Sequence, residues 1–325
     1  MNRRSFIRSS VLASGVIPLL GHNYFIDKFE KKMKLSLSQW SLHREIFGKS
    51  KENYEQWKFW ISTDSDKVLQ GTLDPMKFPS VAKQIYGFNA IDYVNTFFYG
   101  KNEKYFKSLK KECDELGVKS LVMMVDQEGM LGDLDVIKRK KSIIQHEKWL
   151  YHSAILGCHS VRINAHGKGS KRVQQDNLKE SLLVLCEKAK SLGLDLIIEN
   201  HGGISSNPDW LVELINSVNH PNLGTMVDFD NFNYSENKIW NGEFIYDRYE
   251  GVEKLMPFAK SVSAKSYSFN SKGEEETIDY NRMMNIIKKF KYSNHISVEY
   301  EGHGIGSLSE PEGIIATKNL IERLL

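Results

Sequence analysis

A chain of 325 residues, 41% hydrophobic and with a formal charge of +3, suits one large domain or two ordinary ones. Removing residues 1–22 takes away Arg3, Arg4 and Arg8 and no acid, so the 41 acidic residues are then matched one for one by bases. A neutral body without a basic stripe argues against a nucleic-acid footprint.

The chain opens with Asn2-Arg3-Arg4-Ser5-Phe6-Ile7-Arg8, a twin-arginine pattern, followed by an acid-free apolar stretch from Val11 to Leu20. That stretch is too short to span a bilayer as a finished helix and predicts an export signal and leader over residues 1–30. No clean A-x-A cleavage sequence appears; the cut is expected near Gly21 to Tyr24, and a retained N-terminal anchor is the alternative. The expected address is the periplasm, with no transmembrane domain in the mature chain. Cys113, Cys158 and Cys186 are odd in number and lack metal-like spacing, which reads as buried thiols.

From Lys34 onward strand-like and helix-like segments alternate. Strands are predicted over Leu35–Ser41, Ala90–Asn95, Ser120–Asp126, His159–Asn164, Asp195–Glu199, Gly224–Asp228, Ser261–Ser266 and Ile296–Tyr300. Helices are predicted over Phe78–Tyr86, Glu103–Leu116, Asp135–Leu156, Gln174–Leu192, Pro208–Ser217, Tyr249–Ala259, Tyr280–Phe290 and Glu310–Leu325. Eight strands each followed by a helix predict an α/β fold, a single (β/α)8 TIM barrel over 34–325 preceded by the signal segment. An open doubly wound sheet is the alternative, but no GxGxxG follows the first strand. Two long loops, Ser41–Pro75 with Trp57 and Trp60, and Asn231–Tyr249, follow strands and are expected to cover the barrel mouth. Their aromatic side chains suit either stacking on sugar faces or packing of a lid.

Three strands end in a carboxylate: DLIIEN at Glu199, GTMVDFDNF at Asp228 and ISVEYEG at Glu299. Period-two alternation turns Ser297, Glu299 and Glu301 toward the barrel axis, with Ser160, Arg162 and Asn164, Glu199, and Ser261, Ser263 and Lys265 on the same side. Buried charges there need partners or a metal. One arrangement is a cation held by Glu199, Asp228 and Glu299, with Arg162, Asn164 and Lys265 on substrate oxygens; the other is a structural salt bridge such as Arg162 to Glu199. All-oxygen ligation favours Mg2+ or Mn2+, and an added imidazole would move the choice toward Mn2+, Co2+ or Zn2+. His201, in Glu-Asn-His-Gly-Gly, is a candidate for metal, for substrate or for capping the loop, and His166 in Asn-Ala-His-Gly is a weaker one.

At LSLSQWSLH, IDYVNTFF, CHSVRIN, IIENHGG, VDFDNF, YDRYEGV, VSAKSYSF and VEYEG the chain resembles the xylose isomerase-like barrel superfamily, specifically exported bacterial proteins labelled sugar phosphate isomerase/epimerase. The resemblance implies one divalent metal held by a Glu on strand five, an Asp on strand six, a His or Gln on strand seven and a Glu on strand eight. Here these positions are Glu199, Asp228, Ser263 and Glu299. Ser263 departs from the pattern: a hydroxyl is a poorer ligand than imidazole and leaves a coordination place for water, His201 or substrate.

The expected function is a divalent-metal-dependent sugar isomerase or epimerase, in which Glu199 and Glu299 trade a proton beside a carbonyl. A keto-sugar lyase or hydrolase on the same barrel, and a non-catalytic sugar-binding protein with a decayed metal site, are the alternatives. The export pattern and the lack of a Gly-rich phosphate cradle favour a small unphosphorylated carbohydrate as partner. A homo-oligomer is compatible with the sequence.

Overall fold

The computed structural model describes residues 33–302 and 307–325; the twin-arginine segment and leader lie outside the described residues. Eight parallel strands close a barrel: β1 (Lys34–Ser38), β2 (Ala90–Val94), β3 (Lys119–Met124), β4 (Ser160–Ile163), β5 (Asp195–Glu199), β6 (Leu223–Asp228), β7 (Ala259–Ser266) and β8 (His295–Tyr300). Each strand pairs with its neighbours in sequence, and β8 returns to pair with β1. This is the predicted α/β architecture.

Two short helices, α1 (His43–Phe47) and α2 (Tyr54–Thr63), occupy the loop after β1. The outer ring is α3 (Phe78–Gln84), α4 (Glu103–Leu116), α5 (Val136–Leu156), α6 (Lys171–Ser191), α7 (Pro208–Val218), α8 (Arg248–Leu255), α9 (Tyr280–Lys289) and α10 (Glu310–Leu324). Local chemistry explains where the helices begin. Asn102, Asp135, Ser170, Asn207, Asp247 and Asp279 each accept a backbone N–H of the first turn, and Ser309 with Glu312 completes a capping box on α10. Gly117 and Gly157 end α4 and α5 in the left-handed conformation.

The differences from the sequence expectation are at ends. The first strand stops at Ser38 because Gln39–Leu42 turns into a 3-10 helix, and the predicted helix Tyr249–Ala259 ends at Leu255, leaving Ala259 to start β7. The period-two reading holds: Val161, Ile163, Leu196, Ile198, Val262, Ala264, Ile296 and Val298 are all fully buried, and the polar alternates turn inward. The three cysteines are free and buried, as expected. Among the described residues no helix is long and apolar enough to cross a membrane.

The lower part of the barrel is polar and closed. Asp92 on β2 accepts hydrogen bonds from Ser36 (2.6 Å) and Ser297 (2.7 Å), and burial pushes its carboxyl up to about 6.

Candidate active site

Register places the functional side chains side by side. Glu299 on β8 lies opposite Lys265 on β7, Ser297 opposite Ser263, and Asp228 on β6 also opposite Ser263. Asp228, Lys265 and Glu299 sit at or next to the C-terminal ends of their strands, where a TIM barrel builds its reaction centre. A cavity of about 860 Å³ opens there, floored by Arg162, Lys265, Glu299 and Glu301. Both long loops contribute walls: Trp40, Lys51, Tyr54 and Trp57 come from the stretch after β1, and Ile239 and Trp240 from the second. Trp57 is buried against Phe47 and Tyr54 and so belongs to the lid's own packing, whereas Trp240 is 49% exposed and stands edge-on to His201 at 4.9 Å.

The site divides into two charged groups. In the first, Arg162 reaches two carboxylates: its Nη1 donates to Asp126 Oδ1 at 2.8 Å, and its Nε lies 2.7 Å from Glu199 Oε2. The contact to Asp126 is a well-formed hydrogen bond. The contact to Glu199 is close but off the N–H direction, so neither of its atoms gains a hydrogen-bond partner. Against its burial, the guanidinium holds Asp126 well below the usual carboxylate range. Glu199 goes the other way: burial pushes it up to about 8, Arg162 opposes this, and the charges of Asp228 and Glu299 reinforce it. One guanidinium shared by two carboxylates leaves Glu199 as the one that keeps its proton.

Asn164 and His201 complete this group. Asn164 Nδ2 donates to Asp126 Oδ1 (2.7 Å), while its Oδ1 lies 3.1 Å from Arg162 Nη1 and 2.9 Å from His201 Nδ1. With Asn164 Oδ1 as acceptor, the network assigns the imidazole proton to Nδ1. Burial, with Arg162 nearby, holds His201 well below its ordinary range and therefore neutral. His166 Nε2 donates to the backbone carbonyl of His201 (2.9 Å), and His166 also lines the cavity.

In the second group the ammonium of Lys265 lies 3.0 Å from Glu299 Oε1, 3.3 Å from Glu301 Oε2 and 3.8 Å from Asp228 Oδ2. Burial would lower Lys265, but Asp228, Glu299 and Glu301 together raise it well above its ordinary value. Glu299 Oε2 accepts from Ser38, and Glu301 Oε2 also accepts from Trp40 Nε1, each at 2.9 Å. Burial would raise Glu301, yet Lys265, His43 and Lys51 hold it down to about 2. Asp228 Oδ1 accepts the backbone N–H groups of Asp230 and Asn231, and burial pushes its carboxyl up to about 6. Lys51 sits 3.8 Å over the Trp40 ring, lowered to about 8 by burial.

Arg162, Asn164, His201, Lys265 and Glu299 thus line one cavity, while Glu199 and Asp228 lie buried behind Arg162 and Lys265 without lining it. Their partners differ from the expectation. Among the described residues no group of three His, Cys, Asp or Glu side chains is arranged to hold a metal ion, and the carboxylates of Asp228, Glu299 and Glu301 converge instead on the ammonium of Lys265. Ser263, at the strand-seven position, offers only a buried hydroxyl without a hydrogen-bond partner in place of an imidazole. An ion between Asp228 and Glu299 would also stand against an ammonium that three carboxylates keep charged. The arrangement fits a divalent cation poorly: the chain's own Arg162 and Lys265 take the carboxylates that the expected metal set would use. The Arg162–Glu199 salt bridge weighed against the metal is present.

Two residues escaped sequence reasoning. Asp126 follows LVMMV with the same apolar-run-then-acid signature that singled out Glu199, and that signal could have found it. Lys51 lies in a loop, and nothing in its neighbourhood marks it.

Barrel topology with charged strand ends around one cavity defines a (β/α)8 domain. Residues 80–323 match the family model described as xylose isomerase-like TIM barrel, and the chain belongs to that family. No curated protein sequence matches the chain. Among solved structures it is similar to an L-ribulose 3-epimerase (TM-score 0.64, 11% identity, 90% of this chain and 94% of that one). It is also similar to the 3-keto-D-glucoside 4-epimerase YcjR from E. coli (0.62, 13%, 90% and 100%). A third is the IOLI protein with a binding zinc atom (0.64, 14%, 90% and 98%). At such identities the likeness shows the fold alone.

Proposed function

We propose that this chain is a sugar isomerase or epimerase that moves a proton at the carbon beside a carbonyl, with Glu299 as base and Glu199 as acid. The observation that carries the reading is the unequal treatment of two buried carboxylates at the C-terminal end of the barrel, Glu299 lining the cavity and Glu199 behind Arg162. Glu299 accepts from Ser38 and faces Lys265, an arrangement suited to a carboxylate that receives a proton. Glu199 has only a misaligned contact with a guanidinium that Asp126 already holds, and its raised pKa keeps a proton available near neutral pH.

In this reaction Glu299 removes the proton from carbon, the carbonyl becomes an enediolate, and Glu199 returns its own proton to carbon. Lys265 and Arg162 are fixed positive charges facing the oxygen on which negative charge develops, and electrostatic stabilisation of that kind is commonly the largest catalytic contribution. Aromatic walls and the neutral His201 supply sugar-face and hydroxyl contacts. The names of the similar structures, two of them sugar epimerases, are consistent with this chemistry.

The reading includes a periplasmic location, supported by the twin-arginine pattern of the sequence alone, and with it a free or glycosidically linked sugar in place of a sugar phosphate. Incubating the purified chain and its Glu199→Gln and Glu299→Gln variants with a panel of unphosphorylated ketoses and keto-glycosides tests it. Turnover by the wild type and loss in both variants is expected; equal turnover in all three would overturn the assignment.

A further inference from the structure

We propose that the ammonium of Lys265 is the resident cation of this barrel, standing where a divalent ion would otherwise bridge Asp228 and Glu299. The inference rests on the same mouth being the reaction centre, but not on which sugar reacts there.

Three observations carry it. Lys265 Nζ lies within 4 Å of carboxylates from β6, β8 and the residue after β8, a convergence expected around a metal ion. The register makes this a property of the backbone: Lys265 is paired with Glu299, so its side chain leaves β7 beside the β8 carboxylate and needs no unusual reach. The third is Ser263, two residues earlier on the same face. It is fully buried between Asp228 and Ser297, its hydroxyl lacks a partner, and it is too weak a donor to hold a dication in competition with the ammonium.

The exchange has chemical consequences. A dication would bind substrate oxygens as ligands, in any direction its open coordination places allow. An ammonium offers three directional N–H donors and one positive charge. Glu301 accepts one of those donors, Glu299 is an ion-pair partner at 3.0 Å, and Asp228 at 3.8 Å is beyond hydrogen-bond distance, so donor capacity remains for a substrate oxygen. The preferred ligand is then a sugar presenting a single carbonyl or hydroxyl oxygen to Lys265, in place of the chelating pair of oxygens that suits a metal.

The test uses the full chain. After dialysis against a chelator, the protein is titrated with Mn2+, Mg2+ and Zn2+ by calorimetry and melted with and without each ion. No saturable one-to-one heat and no rise in Tm are expected for the wild type. Uptake of one equivalent, with a Tm rise that the chelator reverses, would overturn the proposal. The double variant Ser263→His with Lys265→Met removes the charge and supplies a nitrogen donor, and is expected to gain saturable Mn2+ binding. A folded double variant as blind to metal as the wild type would also count against it, because the site would then never have had the geometry Lys265 is said to replace. If the double variant does not fold, the wild-type titration decides alone. Since the readout is metal binding, a chain inactive on every sugar leaves this inference standing, and a metal-loaded active chain refutes it while sparing the sugar reading.

Discussion

Arg162 Nε lies 2.7 Å from Glu199 Oε2 while its Nη1 hydrogen-bonds Asp126 at 2.8 Å, so one guanidinium serves two carboxylates unequally. Asp126 has the aligned bond and stays charged. Glu199, buried and beside Asp228 and Glu299, rises to about 8.

That rise has a stability consequence with a definite sign. A folded pKa above the unfolded one means the native state binds more protons between roughly pH 4.5 and 8, so Glu199 destabilises the fold increasingly as pH rises through that window. Glu199→Gln keeps the shape and removes the ionisation. Relative to the wild type its unfolding free energy should improve steadily from pH 5 to pH 8.5, on the order of a few kcal/mol at the alkaline end, read by denaturant melts across that range. A constant difference across that range would show that Glu199 titrates normally.

Removing Asp126 should move the activity profile. In Asp126→Asn the guanidinium has one charged partner left, so the pKa of Glu199 falls and the alkaline limb of kcat/KM shifts to lower pH. Some stability is lost as well, about 2–3 kcal/mol, because a buried ion pair is broken. An alkaline limb that stays in place while activity survives would separate Glu199 from the acid role.

Gly202 links the site to its lid. With φ of +78° and an added Cβ only 2.5 Å from the Ile239 carbonyl oxygen and 2.9 Å from the Trp240 ring, it cannot become Ala without displacing that loop. The glycines of Glu-Asn-His-Gly-Gly therefore serve the approach of the second loop's backbone. Gly202→Ala should cost about 1–3 kcal/mol and raise KM more than it lowers kcat. Unchanged KM would mean that Trp240 does not contact substrate.

The export reading has its own test. Arg3→Lys with Arg4→Lys should leave the protein in the cytoplasm, folded and active, by cell fractionation. Unchanged export of the double variant would reject the twin-arginine route.

Most of the barrel was legible because alternation and caps are local signals. Ile296, Val298 and Tyr300 against Ser297 and Glu299 define both faces of β8 without any reference to the rest of the chain. Glu199, Asp228 and Glu299 were found the same way, each at the end of an apolar run. What the sequence could not settle is who partners whom. Lys265 and Glu299 are 34 positions apart, and only the β7–β8 register puts them opposite one another. Lys51 reaches the mouth through a loop whose path depends on stacking over Trp40, and Asp92 is satisfied by serines from β1 and β8. These are long-range relations that periodicity does not encode.

The proposed chemistry moves a proton between carbon and two carboxylates of this chain. Its most direct measurement is incorporation of solvent deuterium at the carbon beside the carbonyl of a turned-over unphosphorylated sugar, followed by NMR in D2O. Wild-type protein should introduce one deuteron at that carbon, and Glu199→Gln should not form the deuterated product. Turnover by the wild type with the original proton fully retained at every carbon beside the carbonyl would contradict the account.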